Sequence, residues 1–239
     1  MPAARGRLFG LGVGPGDPEL LTLKALRLLR GVQVIAYAAP EHGDSFARAI
    51  VASWIEGHQR EIVIRFPMRP GPPPIAIYDA AAAALAGELD CGHDVALLCQ
   101  GDPFFYGSFM YLFGRLTAHC RVEIVPGVSS LTACAAAGGL PLAAREETLT
   151  VIPATLDETS LERRLADVEA AAIIKLGRHF AKVRDVLCRL DLAERAHYIE
   201  HASLPSQRIL KLAEVDAAGV PYFAMILLRG QIRDGEGMP

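Results

Sequence analysis

Five cysteines, Cys91, Cys99, Cys120, Cys134 and Cys188, are scattered through the 239 residues, odd in number and without C-x-x-C spacing. That pattern argues against a disulfide framework and offers zinc no ligand set. A basic surplus is also lacking: 24 Lys and Arg stand against 27 Asp and Glu, for a formal net charge of -3. A nucleic-acid backbone is drawn to clustered cations, so nucleic acid is not the expected partner. Long apolar runs are missing as well. The stretch Val32–Pro40 falls far short of the roughly 20 residues that a bilayer-crossing helix needs. Met1–Arg7 leads into the glycine-rich Phe9–Gly16, not into the apolar core of a signal peptide, so no membrane and a cytoplasmic location are expected.

What is present is a folding composition, 51% hydrophobic and 21% charged, which excludes disorder. Short apolar runs alternate with segments of helical period. Leu8–Val13, Val32–Ala38, Glu61–Phe66, Asp94–Cys99 and Val122–Val125 read as strands, and Glu19–Leu29, Phe46–Ile55, Ile77–Leu89, Ser108–Thr117 and Ser129–Ala137 as helices. Such alternation builds parallel βαβ units, hence an open, mainly parallel sheet. Between Gly138 and Glu147 the period is lost, which places a joint between an N-terminal α/β domain, 1–142, and a C-terminal one, 143–239. The latter holds strand patterns at Leu149–Ile152, Ala171–Lys175, His197–Glu200, Arg208–Lys211 and Tyr222–Leu228, with helices at Leu161–Asp167 and Lys182–Leu190, and is expected to carry a mixed sheet. Pro67–Pro74 reads as a stiff extended loop and Asp234–Pro239 as a fraying end.

Three loops at strand ends hold the chemistry. The first, Gly10-Leu11-Gly12-Val13-Gly14-Pro15-Gly16-Asp17-Pro18, fails the G-x-G-x-x-G dinucleotide spacing and lacks the Lys-Ser/Thr of a P-loop. Pro15 and Pro18 remove amide donors and Asp17 adds negative charge, so the loop suits an uncharged or cationic ligand better than a phosphate. The second, Gln100–Gly107, follows a strand at the carboxyl end where open α/β sheets place ligands. The third, Val125–Ser130, ends a strand and opens a helix with two hydroxyls. Read bare, Asp102-Pro103 is also a turn starter and Ser129 an ordinary helix cap.

Together the loops, GxGPGDPxLLTLKA, GDPxxYG and EIVPGVSS, resemble the S-adenosylmethionine-dependent tetrapyrrole methyltransferases. The likeness continues through IIKLGR (Ile173–Arg178) and SQR (Ser206–Arg208) and covers nearly the whole chain. It implies two α/β domains with the cofactor in the cleft between them, in a homodimer. The implied cofactor contacts are Pro15, Gly101, Asp102, Phe105, Ser129 and Ser130, with Leu176 and Ala202 from the second domain. Gln100 stands where relatives often carry Gly. The wording CQGDPFFYGSFMYL, IKLGR and ASLPSQRIL is most similar to family members acting at C20 of precorrin-2, metal-free or as cobalt-factor II, in cobalamin synthesis. The implied product of the donor is S-adenosylhomocysteine. Methylation at another ring carbon is the alternative within the family, and a nucleotide-binding oxidoreductase domain the alternative outside it.

The physical character of the ligand agrees with the loops, since S-adenosylmethionine is a sulfonium cation without phosphate. No catalytic base is assigned, and Tyr106 is a candidate for orienting substrate. His42 and Asp44 also follow a strand end. A tetrapyrrole of this kind bears several carboxylates, which Arg65, Arg69 and Arg145 are candidates to pair. Lys175 and Arg178 read equally well as sheet-edge side chains. With no Cys/His cluster at ligand spacing, cobalt would arrive within the substrate and not in a protein metal site.

Overall fold

The computed structural model describes residues 5–67 and 74–229, so Arg69, most of the proline-rich loop and the Asp234–Pro239 end lie outside the described residues. The chain divides into two compact units, Met1–Ser129 and Ser130–Pro239.

The first unit holds β1 (Leu8–Gly12), α1 (Leu23–Gly31), β2 (Val34–Pro40), α2 (Phe46–Ile50), β3 (Arg60–Phe66), α3 (Ile75–Asp90), β4 (Val95–Cys99), α4 (Phe109–Leu116) and β5 (Val122–Val125). The five strands form one sheet in the order β3-β2-β4-β1-β5, parallel throughout. Its central strands are continuous apolar runs because both faces are covered. Every residue of β1 is buried, whereas the edge strands β3 and β5 are buried only in part.

Alternation along each strand feeds two cores. Leu8, Val34, Val95 and Leu97 meet α3 and α4 on one face, through Tyr78, Ala81, Leu85, Phe109 and Leu112. Phe9, Leu11, Ile35 and Leu98 meet α1 and α2 on the other, through Ala25, Leu29, Ala47 and Ile50. Each fully buried leucine contributes roughly 1.5–3 kcal/mol.

Helix starts follow local chemistry. Thr22 Oγ1 accepts the Ala25 N–H and opens α1 at Leu23, while the preceding Pro18–Leu20 is a separate 3-10 turn whose first amide is capped by Asp17. The helix expected from Glu19 therefore begins later. That expected over 46–55 is split, with α2 ending at Ile50 and a 3-10 turn at Ala52–Trp54. A side-chain cluster braces β2, β3 and α2: the Tyr37 hydroxyl donates to Glu61 Oε2 at 2.5 Å, and Arg48 reaches both Glu61 oxygens at 3.1 and 3.0 Å.

The second unit holds α5 (Ser130–Gly138), β6 (Leu149–Pro153), α6 (Glu158–Leu165), β7 (Ala170–Ile174), α7 (Phe180–Arg189), β8 (Ala196–Glu200), β9 (Arg208–Lys211) and β10 (Ala224–Leu228). The sheet order is β6-β7-β10-β8-β9. β6 and β7 are parallel, and β10 is antiparallel to both β7 and β8, so the sheet is mixed. Helices α6 and α7 bury Leu161, Leu165, Phe180, Val183 and Leu187 with Ile152, Ile173, Tyr198 and Ile226 of one sheet face. Helix α5 packs against β8 and β10. That packing explains why the units divide at Ser129/Ser130, upstream of the joint expected after residue 142. Among the described residues, no helix is long and apolar enough to cross a membrane.

Candidate functional site

In the first sheet β1 and β4 are neighbours whose following helices pack on opposite faces. Their outgoing loops therefore diverge and leave a crevice at the carboxyl ends, the topological switch point where open α/β sheets bind ligands. The loops are stitched there by a two-residue antiparallel bridge. Gly14 N–H donates to Gly101 O at 3.3 Å and Gly101 N–H to Gly14 O at 2.7 Å, beside a bond from Val13 N–H to Cys99 O at 2.9 Å. Both bridge glycines have left-handed φ, +82° and +65°.

The loop after β5 joins from the other side of β1. Backbone contact is so close that a Cβ on Gly12 would sit 2.6 Å from Gly127 Cα and 2.8 Å from Gly101 O. A Cβ on Gly127 would overlap Gly101 O outright. Further down β1, Gly10 makes room for the ring of Phe109, the first residue of α4. The sequence marks these glycines as loop formers; their mutual contact follows from strand order, which local pattern does not carry.

Asp102 fixes this arrangement. Its Oδ1 accepts the Phe104 N–H at 2.9 Å within its own loop, and its Oδ2 accepts the Gly127 N–H at 3.1 Å across β1. One carboxylate thus ties the second loop to the third and serves first as a positioning group. Burial, with a smaller contribution from the Asp102 charge, pushes the Cys99 thiol far up, so it stays neutral beside the crevice. The loop segments 13–18, 100–107 and 126–129 together carry two carboxylates, Asp17 and Asp102, and no Lys or Arg.

After Asp102 come three aromatics. Phe104 rests on Phe109 and Phe113 with ring centroids 5.7 and 5.1 Å away, and the ring of Phe105 meets Tyr106 edge-on at 5.2 Å. Tyr106 has φ +54° and is exposed. The first unit thus brings Pro15, Gly101, Asp102, Phe105, Tyr106 and Ser129 onto loops at the carboxyl end of the parallel sheet.

The arginines are not gathered in the same way. Arg65 Nη1 donates to Pro40 O at 2.9 Å and Gly43 O at 2.7 Å, bracing the loop after β2. His42 and Asp44 in that loop are exposed. Arg145 lies in the second unit between α5 and β6, exposed and at φ +50°. Among the described residues, no group of three or more His, Cys, Asp or Glu is placed to hold a metal.

The second unit has a corresponding end. Antiparallel β10 lies between β7 and β8, pairing Ile226 with Ile173 and Ala224 with Glu200, so β7 and β8 run parallel and finish at the same end of the sheet, one on each side of β10. Leu176 follows β7, fully buried between Lys175 at φ +60° and Gly177 at φ +41°. Ala202 follows β8, buried between His201 at φ +52° and Ser203 at φ +69°. Left-handed conformations at non-glycine residues cost roughly 1–3 kcal/mol each and cluster at ligand sites. Ser130 opens α5 in this unit.

Known proteins agree with this layout. The family described as Tetrapyrrole (Corrin/Porphyrin) Methylases matches residues 7–216. The chain is 44% identical to the "Cobalamin biosynthesis protein CobIJ" of Mycobacterium tuberculosis over 95% of its own length, but it spans only 47% of that relative, about half. It is 38% identical to the "Precorrin-2 C(20)-methyltransferase" of Sinorhizobium sp, over 94% of this chain and 96% of the relative. The crystal structure of uroporphyrin-III C-methyl transferase from Thermus thermophilus, complexed with S-adenyl homocysteine, superposes with a TM-score of 0.67 at 28% identity, covering 93% of this chain and 97% of that one. Loop motifs, sheet order and family match converge, and the chain belongs to the tetrapyrrole (corrin/porphyrin) methylases.

Proposed function

We propose that this chain is a C-methyltransferase that uses S-adenosylmethionine to methylate C20 of precorrin-2, metal-free or cobalt-loaded, in cobalamin biosynthesis. The observation that carries the reading is the switch-point edge of the first sheet, where three interlocked loops offer two carboxylates and no cation. That negative set fits a sulfonium with a neutral adenine and would repel the phosphates of a dinucleotide. When bound, S-adenosylmethionine supplies an electrophilic methyl group on positive sulfur. The C20 position is supported by the Sinorhizobium relative, matched along nearly the full length of both chains.

The proposed cofactor contacts are Pro15, Gly101, Asp102, Phe105 and Ser129 of the first unit and Ser130, Leu176 and Ala202 of the second. Asp102 spends its two oxygens on the backbone amides of Phe104 and Gly127, so it acts by holding its own loop against the loop after β5 before any ligand arrives. Methyl transfer to carbon is an in-line displacement. The protein's task is therefore alignment of reacting atoms and exclusion of water, and placement alone is worth about 7–11 kcal/mol in favourable cases. Tyr106 is the proposed group for orienting the macrocycle, with Arg65, Arg69 and Arg145 as partners for its carboxylates. The working form is proposed to be a cytoplasmic homodimer.

Incubation of the purified chain with methyl-13C-labelled S-adenosylmethionine and precorrin-2 tests the reading. Carbon NMR is expected to place the label at C20. Label at another ring carbon would move the chain elsewhere in the family, and an unlabelled tetrapyrrole alongside demonstrated S-adenosylhomocysteine binding would overturn the assignment.

A further inference from the structure

The triplet Ser206-Gln207-Arg208 has no task in the function proposed above. In the second unit its three side chains reach back, one after another, to the end of β8 and the turn that follows it. Ser206 Oγ lies 3.3 Å from His201 Nδ1. Gln207 Oε1 accepts the Ser203 N–H at 2.9 Å, and Arg208 Nη1 donates to Glu200 Oε1 at 3.0 Å. Two of the residues they grip, His201 and Ser203, flank Ala202, and both lie in the left-handed region.

The anchor at the base of the turn is buried. Glu200 is 5% exposed, its other oxygen accepts the hydroxyl of fully buried Tyr198, and it pairs in register with Arg208 across β8 and β9. Backbone bonds close the connection: His201 N–H to Phe223 O, Leu204 N–H to His201 O and Gln207 N–H to Leu204 O, each at 3.0 Å. A turn that keeps two non-glycine residues at positive φ relaxes to commoner conformations unless its surroundings hold it.

We propose that Ser206, Gln207 and Arg208 are positioning residues, a strap that holds the His201–Ser203 turn in the shape that presents the Ala202 backbone to the cofactor, without touching cofactor or substrate themselves. This rests on the reading of Ala202 as a cofactor contact. Gln207 is the informative member, because it is exposed, its loss opens no core cavity, and its partner is a backbone amide of the turn.

The test compares the full chain with Gln207→Ala and Gln207→Glu by calorimetric titration with S-adenosylhomocysteine, alongside steady-state kinetics. Gln207→Ala is expected to weaken binding about tenfold, the order of one lost hydrogen bond. It should raise KM for S-adenosylmethionine in step while leaving kcat and the tetrapyrrole KM in place. Gln207→Glu keeps an acceptor for the Ser203 amide and is expected to restore affinity. Parent-like binding by Gln207→Ala, or failure of Gln207→Glu to rescue it, overturns the strap alone. A parent chain that does not bind S-adenosylhomocysteine overturns the functional reading and the strap with it.

Discussion

The two units solve one problem, shaping backbone at the end of a sheet, by different means. In the first, Gly12 and Gly127 press backbone on backbone against each other and against Gly101 O, where a Cβ on either would collide. In the second, the turn after β8 keeps ordinary L residues at φ +52° and +69° and restrains them with side-chain bonds from Ser206 and Gln207, above an Arg208–Glu200 pair at its base. Steric exclusion leaves one residue type possible, so it is written in the sequence as glycine. Conformational strain is negotiable, and a few hydrogen bonds of about 0.5–1.5 kcal/mol each can offset it.

That contrast is broken most directly at Gly127. Gly127→Ala drives a methyl group into Gly101 O and against Gly12, all rigid backbone, so the three loops must separate. The expected cost is about 3 kcal/mol or more in urea unfolding, with loss of S-adenosylhomocysteine binding. A stable variant that still binds would show that the glycine contact is not what shapes the crevice.

Next in size is Asp102→Ala, which removes the acceptor for both the Phe104 and the Gly127 amide. A cost of about 2 kcal/mol is expected, together with weaker S-adenosylhomocysteine binding. Asp102→Asn, which retains one carbonyl oxygen, should fall between Ala and the parent. If Asn and Ala bind equally poorly while Asn keeps parent stability, the carboxylate's charge and not its grip on the loops is what the ligand needs.

Much of the fold could be read from residue pattern because its causes are local. Continuous apolar runs such as Leu8–Gly12 and Val95–Cys99 are strands buried on both faces, and the alanine-rich stretch of α3 keeps a helical period through Tyr78, Ala81, Leu85 and Leu89. The order β3-β2-β4-β1-β5 has no local cause, and with it went the knowledge that Gly12 meets Gly127 and that Asp102 crosses β1. Ownership of α5 was hidden for the same reason: its small apolar residues suit either sheet, and only contact with β8 and β10 decides. The candidate site was legible as three glycine-bearing loops. The SQR strap was visible as a motif, but its partners are hydrogen-bonding positions four to eight residues back, which no periodicity reveals.

The comparison sharpens further against glycines that have no structural duty. Gly87 lies exposed within α3 with open space where a Cβ would project. Gly87→Ala lowers the entropy of the unfolded chain and adds a helix former, so a gain of about 0.5–1 kcal/mol is expected in the same unfolding assay. A loss there, matching the sign at Gly127, would mean that glycine content as such, and not backbone contact, controls the first unit.

The smallest effect concerns a motif both units share, a Tyr–Glu–Arg cluster. In the second it is Tyr198, Glu200 and Arg208 at the base of the strapped turn; in the first it is Tyr37, Glu61 and Arg48, away from the glycine loops. The Arg48 guanidinium, then the Tyr37 hydroxyl, hold the Glu61 carboxyl below its ordinary value of 4.5. The folded state therefore binds that proton less readily than the unfolded chain. The resulting stabilisation is present above the ordinary value and is lost as pH falls through the depressed one. The pair is partly exposed, with side-chain accessibilities of 36% and 28%, so solvent screening keeps its contribution to about 0.5 kcal/mol. Glu61→Gln should be less stable than the parent by that amount near neutrality. Urea melts at stepped pH should show the gap closing once the pH drops below 4.5. A gap that stays constant into acid would assign the brace to packing of β2 against β3 and not to charge.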